Sequence, residues 1–368
     1  MHLADITPSI FSGLGLIDPH GRNGFGESPH GRECLLLVDG LGASIIKEFA
    51  QYIPILSSMK SLGDVETAFP STTATSLTTL TTGEMPGAHG MLGYTVRVPR
   101  SGGRILNALK WDERVDPTVW QPIPTLFERA VASGISVSHV AAKRYEDSGF
   151  TRAAFRGAQY RAANVLADMV SEAAKSLAAS PSFAYVYIND LDVAGHSDGV
   201  GSEKWIDALT YVNTVVTTLL ESLPRGVRFW VTADHGMVNA EEKIVLGKGN
   251  SLLEGIALIA GEPRARHLYI DDANQGAGIE AIAQSWRATL GEKVDVFTRS
   301  QAVKAELFGP VVSLDSKDRM GDLIVIARDG LVLVDPAREA LESAMVGHHG
   351  ALTDSERFVP LMVSEIEN

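Results

Sequence analysis

A single cysteine, Cys34, stands in 368 residues. No disulfide can therefore form within the chain, a composition suited to a reducing compartment. Cys34 precedes the apolar run Leu35-Leu36-Leu37-Val38 and reads as buried packing. No apolar stretch is long enough to span a bilayer. The opening, MHLADITPSIFSG, has neither the basic segment nor the continuous apolar stretch of a secretory signal, so the expectation is a cytoplasmic protein without a membrane partner. Basic residues are also scarce: 32 Lys and Arg face 45 Asp and Glu, a net charge of −13. That balance argues against a nucleic-acid polymer, whose phosphates are held by basic surfaces. It leaves room for a small anionic substrate, because bound cations can dominate a local site.

What is present is a globular composition, 45% hydrophobic and 21% charged, in a chain able to bury a large core. Short apolar runs alternate with helical patterns, which predicts an α/β fold with a mostly parallel sheet. "CLLLVDG" reads as a buried strand leading into a loop at Asp39. Residues 43–60 read as a helix disturbed at Pro54. "IPTLFERAVASG" reads as a helix ending at Gly134, and "ISVSHVAA" as the next strand. Residues 159–178 and 203–222 read as amphipathic helices, leading into "FAYVYIND" and "VRFWVTADHG". After residue 240 the pattern changes to "GIALIAGEPRARHLYID", a helix near 279–290, "VDVFTR", and a hairpin in "GDLIVIARDGLVLVD" turning at Arg328-Asp329-Gly330. The expected organisation is a catalytic core from 1–240 and 346–368, rejoined through "RFVPLMV", with 241–345 as a smaller inserted α+β segment.

Three apolar runs end in acidic residues: Asp39, then Asp190 and Asp192, then Asp234 with His235. Ligands of open α/β sheets bind at the carboxyl ends of strands, where such groups can converge. Asp192 and His196 share a face if "DVAGH" is helical, and can also meet on a loop bent at Gly195. "GHHG", residues 347–350, offers a further imidazole. Three Asp and three His suit borderline transition metals, zinc first and manganese second, and suffice for two ions. Two such ions can clamp the attacking and leaving oxygens of a phosphoryl displacement. Between Phe69 and Gly83 the sequence crowds Ser and Thr. Strand preference or capping accounts for such a block, and so does a nucleophilic hydroxyl presented at a helix start and activated by a metal.

Val38-Asp39-Gly40, the Phe69–Gly90 block, "DVAGH", "ADHGM" and "GHHG", in that order, resemble the alkaline phosphatase superfamily, within it the nucleotide pyrophosphatase/phosphodiesterase branch. The resemblance implies a mostly parallel sheet flanked by helices on both faces, and hydrolysis of phosphodiester or pyrophosphate bonds in a small phosphorylated substrate. It implies two divalent metals, one on Asp39, Asp234 and His235, the other on Asp192, His196 and His349. It implies a covalent phosphothreonine on Thr73, found nine residues before Thr82-Gly83, with Thr72 and Ser71 as neighbouring alternatives. Ala74, through its N–H, and Ser76 are the implied substrate contacts. Many relatives carry Phe-Pro-Asn after the nucleophile; here Ala74-Thr75-Ser76 supplies no aromatic face. His89 reads as structural and His348 as exposed. Tyr94, Trp111 and Trp120 are candidates for the pocket wall or for packing. Arg97, Lys143 and Arg144 are candidates for the extra charge of a monoester. The alternatives are a phosphomonoesterase or phosphonate hydrolase of the same superfamily, a phosphoryl-transferring mutase, and a non-catalytic metal-stabilised binding protein.

Overall fold

The computed structural model describes residues 1–22, 25 and 30–366. The expected core stretches include 23, 24, 26–29, 367 and 368, which lie outside the described residues. The strands of the main sheet are β1 (Arg32–Val38), β2 (Lys60–Glu66), β3 (Ser136–Ala141), β4 (Gln159–Ala162), β5 (Ser182–Ile188) and β6 (Arg228–Thr232), joined by a late strand, Phe358–Glu365. Across the sheet they run β2, Phe358–Glu365, β6, β1, β5, β3, β4. The late strand is antiparallel to both its neighbours. All other pairs are parallel. β1 is central and, apart from Arg32, buried throughout, as expected of a strand covered on both faces by helices.

Register positions the site. Val38 lies opposite Ile188 and Leu37 opposite Thr232, so β1, β5 and β6 end together. The residues that follow them, Asp39, Asn189 and Asp234, therefore emerge on one edge of the sheet. The main helices here are α1 (Leu3–Gly13), α2 (Thr73–Thr82), α3 (Asp190–Asp198) and α4 (Glu203–Ser222).

A second, antiparallel sheet is built from β7 (Ile256–Glu262), β8 (Ala265–Ile270), β9 (Val294–Thr298) and β10 (Leu323–Ala327), in the order β7, β8, β10, β9. Helix α5 (Ala277–Leu290) packs against it. Alternation along β10 divides its side chains: Leu323, Val325 and Ala327 join a satellite core with Trp286, whereas Ile324 and Ile326 join the main core. The second sheet is thus cemented to the first through its opposite face. A fully buried pair reinforces the junction, with Arg264 Nε and Nη2 donating to Glu356 at 3.0 and 2.6 Å.

Three local readings are corrected, and one strand without a sequence cue is added. Residues 43–60 form separate short turns, Ile45–Glu48, Ala50–Tyr52 and Pro54–Ser58, because Pro54 can start a helix but not continue one. Lys60–Glu66 is a strand, although its burial is slight. Residues 159–162 are strand β4, and the helix begins only at Leu166. The expected hairpin does not form: Leu331–Val334 pairs in parallel with Glu242–Val245. Buried guanidinium groups occupy its carbonyls instead, Arg264 at Leu331 and Arg266 at Leu333.

Candidate active site

Helix α2 turns the hydroxyl-rich block into a buried helix. Thr78 and Thr82 donate to the carbonyls of Ala74 and Thr78, four residues back, so a polar helix can sit in the interior. Thr79 hydrogen-bonds His89, a buried imidazole whose pKa burial pushes down to about 3. Extended backbone at Thr72 (φ −139°) starts the helix, and Gly83 ends it in the left-handed region (φ 70°). Thr73 is the first helical residue. Its hydroxyl lies 3.1 Å from His235 Nε2.

"DVAGH" is helical. Asp192 and His196 lie four apart on α3, with His196 Nε2 3.3 Å from Asp192 Oδ1. From "GHHG", Gly347–His348 pairs antiparallel with Val238–Asn239, delivering His349 beside them. Its Nε2 is 3.9 Å from the same Asp192 oxygen. The structure thus gathers two donor sets, Asp39, Asp234 and His235, and Asp192, His196 and His349. They adjoin: the His235 and His349 rings stack at 3.6 Å.

These sets suit cations on their own chemistry. Nδ1 of His196, His235 and His349 each lies 2.9 Å from a backbone carbonyl, of Gly347, Gly236 and Ser71 respectively. That bond places the ring proton on Nδ1 and leaves Nε2 as a bare lone pair. Nε2 of His235 faces Asp39 Oδ1 at 3.4 Å and Asp234 Oδ2 at 3.5 Å. Asp39 Oδ1, Asp192 Oδ1 and Asp234 Oδ2 are all buried without a hydrogen-bond partner. Lone pairs facing carboxylate oxygens at such distances repel unless a positive charge lies between them. A tetrahedral ion with bonds of about 2.0–2.1 Å sets its ligand atoms about 3.3 Å apart, close to the spacing seen around His235. Electrostatics agrees. Burial and the mutual repulsion of Asp39, Asp234 and Asp192 raise the Asp39 pKa well above the carboxylate range, and burial chiefly raises those of Asp192 and Asp234. Burial, then the neighbouring His235 and His196, pushes His349 far down.

Thr73 opens onto two cavities. One, of about 250 Å³, is lined by Asp39, Arg144, Tyr145, Phe150, Tyr187 and Asn189, among others. The second, of about 190 Å³, is lined by Tyr94, Asp192, His196, Glu262, Glu342 and His349, among others. Neither Ala74 nor Ser76 lines these cavities; Ala74 packs in the core and the Ser76 hydroxyl is buried without a partner. Of the hydroxyls beside Thr73, that of Ser71 donates to the Ala351 carbonyl at 2.7 Å. Contrary to expectation His348 is buried; its Nε2 lies 3.2 Å from the Met345 carbonyl. Trp120 packs under Arg319, and Trp111 Nε1 donates to Val115. Arg97 stacks on Tyr269 away from these cavities, and Lys143 pairs with Glu146. Arg144 alone of the three lines the first cavity.

Sequence reasoning missed Tyr187, whose hydroxyl donates to Asp39 Oδ2, and Glu262. A tyrosine inside an apolar run signals packing, and a glutamate before a Pro-Arg turn signals solvent, so neither carried a visible cue.

The sequence profile of the family described as type I phosphodiesterase/nucleotide pyrophosphatase matches residues 34–352. The chain belongs to that family. It is a phosphoesterase of the alkaline phosphatase superfamily, and its family is metal-dependent. No curated protein sequence matches it directly. Among solved structures, murine ectonucleotide pyrophosphatase/phosphodiesterase 5 superposes with a TM-score of 0.71 at 14% identity, covering 91% of this chain and 88% of that one. An inactive threonine-to-alanine variant of the murine protein in complex with AMP superposes with a TM-score of 0.70 at 13% identity, with the same coverage. Phosphonoacetate hydrolase from Sinorhizobium meliloti 1021, in complex with phosphonoformate, gives 0.69 at 17% identity, covering 92% and 91%. At these identities the likeness is one of fold.

Proposed function

We propose that this phosphoesterase hydrolyses phosphodiester or pyrophosphate bonds of a small substrate through a covalent phosphothreonine on Thr73. The observation that carries the reading is the Thr73 hydroxyl at 3.1 Å from His235, beside two adjoining Asp/His donor sets. Asp39, Asp234 and His235 would hold one divalent cation, zinc or manganese, and Asp192, His196 and His349 a second. When bound, these ions supply positive charge to the reacting and departing oxygens.

Thr73 forms the new P–O bond as the bond to the leaving group breaks, and water later cleaves the Thr73 ester. Helix α2 orients the nucleophile, and its first N–H groups, including that of Ala74, lack intrahelical partners and face a phosphate favourably. Tyr187 steers Asp39 through its hydroxyl. Arg144, exposed at the first cavity and without a carboxylate partner among the described residues, offers charge to a further oxygen of the substrate. The AMP complex of the murine protein and the phosphonoformate complex of the bacterial hydrolase support a small phosphorylated or phosphonylated ligand. The second of these, with Arg144, keeps a monoesterase or phosphonate hydrolase as the competing reading. We further propose residues 241–345 as the inserted segment, with the remainder as catalytic core.

The test pairs elemental analysis with hydrolysis of bis-p-nitrophenyl phosphate and p-nitrophenyl phosphate by wild type and Thr73→Ala. The expected result is about two metals per chain in both proteins, a preference for the diester, and a loss of roughly a thousandfold or more in kcat for the variant. Unchanged turnover in the variant would reject Thr73.

A further inference from the structure

The second cavity holds a group that the proposed chemistry does not use. Glu262 ends β7, is only 4% exposed, and lines the same space as Thr73 and Asp192. Its Oε2 accepts the N–H of Tyr94 at 3.0 Å. Its Oε1 is buried without any partner. That oxygen lies on the side of Gly350, the residue after His349: a β-carbon added there would stand 3.3 Å from Oε1 and 2.6 Å from the glutamate's own γ-carbon. Gly350, at φ 126°, therefore gives the carboxyl its room. A buried acceptor with no donor is expensive, and in folded proteins such atoms are few.

The rest of the lining gives the ligand's sign. Glu342 faces the cavity too and accepts from the Tyr94 hydroxyl at 3.2 Å. No lysine or arginine lines the cavity among the described residues. The nearby Arg266 is committed to Glu339, which it bonds at 2.6 and 2.8 Å. Beyond the two donor sets, the cavities beside Thr73 thus differ in charge, with the Arg144 guanidinium in one and the Glu262 and Glu342 carboxyl groups in the other.

We propose that the second cavity binds an ammonium group of the substrate, with Glu262 as its principal acceptor, and that the substrate is a phosphate ester or phosphonate carrying a primary amine close to phosphorus. This rests on the reading of Thr73 and its two donor sets as the phosphoryl site. Three rotatable N–H donors of an ammonium can serve the Glu262 carboxyl and Glu342 together, whereas an alkyl group of the same size donates to neither. Burial raises the Glu262 pKa to about 8, consistent with a carboxyl that has no positive partner before the ligand arrives.

Binding separates this proposal from catalysis. Calorimetry on the zinc-loaded full chain compares 2-aminoethylphosphonate with n-propylphosphonate, equal in heavy atoms, and with 2-hydroxyethylphosphonate. The amine is expected to bind at least about tenfold more tightly than either, as a charge-assisted hydrogen bond to a buried acceptor allows. In Glu262→Gln that preference should shrink to within about twofold. Equal binding of all three by wild type overturns the proposal, as does no binding of the amine. A hydroxyl compound as tight as the amine overturns the ammonium assignment. A preference that survives Glu262→Gln removes Glu262 from it. The wild-type comparison decides even if the variant does not fold. Hydrolysis of bis-p-nitrophenyl phosphate, read alongside, reports independently on the phosphodiesterase reading.

Discussion

At Tyr187 one hydroxyl governs how Asp39 meets its neighbours. By donating to Oδ2 it leaves Oδ1 as the oxygen that faces His235. Groups that orient a metal ligand typically alter affinity 10–100-fold when removed. Tyr187→Phe, which keeps the ring and its edge-on contact with Tyr145 at 5.9 Å, should therefore weaken zinc binding by about that factor. Competition with a chromophoric chelator measures it; an unchanged affinity would mean that Asp39 is fixed by its backbone alone. At this scale the sequence was informative where chemistry coincides with a strand end. Asp39, Asp192 and Asp234 stood out because each closes or follows an apolar run, and the structure gathers them with His196, His235 and His349. Tyr187 and Glu262 stayed hidden because their chemistry depends on which partner the fold places opposite them.

Elements were legible to the extent that their periodicity was long and unbroken. The 203–222 pattern is a helix over the same residues, α4, and the buried strands that carry Asp39 and Asp234 were evident as apolar runs. Short or half-exposed segments were not: β2 and β4 bury little, so alternation gave no signal. The hairpin failed because distant arginines, not the local turn, decide where Leu331–Val334 pairs. Where elements meet at the site, backbone clearance matters as much as side chains. Gly236 follows His235, and a β-carbon added to it would stand 2.0 Å from the Ser355 carbonyl oxygen and 2.9 Å from Gly42 Cα. Both are main-chain atoms, which cannot swing aside. Gly236→Ala should thus force the end of β6 away from the short helix before Phe358, Asp354–Arg357, costing about 1–3 kcal/mol as overpacking does. It should also lower metal content at the Asp39, Asp234 and His235 set. Urea unfolding and elemental analysis of the variant read the two effects; a variant with wild-type values of both would show that the junction has slack.

The response of the whole molecule to pH is a sum over buried groups of opposite sign. Glu262, raised to about 8, lends stability at low pH that is lost as pH climbs from the ordinary carboxylate range toward 8. Buried imidazoles act the other way. His139, on β3, stacks on Phe155 at 4.3 Å, meets Tyr160 and Tyr185 edge-on, and has no partner for its Nδ1. Burial drives its pKa from 6.5 to about 3. Between those values the unfolded chain takes up a proton at this position and the folded chain does not, so stability falls as pH falls. Above pH 6.5 neither state is protonated there and the group adds no pH dependence. His139→Phe keeps an aromatic ring but cannot titrate. Other groups, including the two Asp/His donor sets, contribute alike to both proteins, so the difference between their unfolding free energies isolates this one proton. As pH drops from 6.5 to about 4.5, wild type should lose about 2 kcal/mol relative to the variant. Denaturant unfolding of the pair across that interval measures the change. A difference that stays flat would mean that His139 accepts its proton in the folded chain, and that the aromatic packing between β3, β4 and β5 opens to admit water.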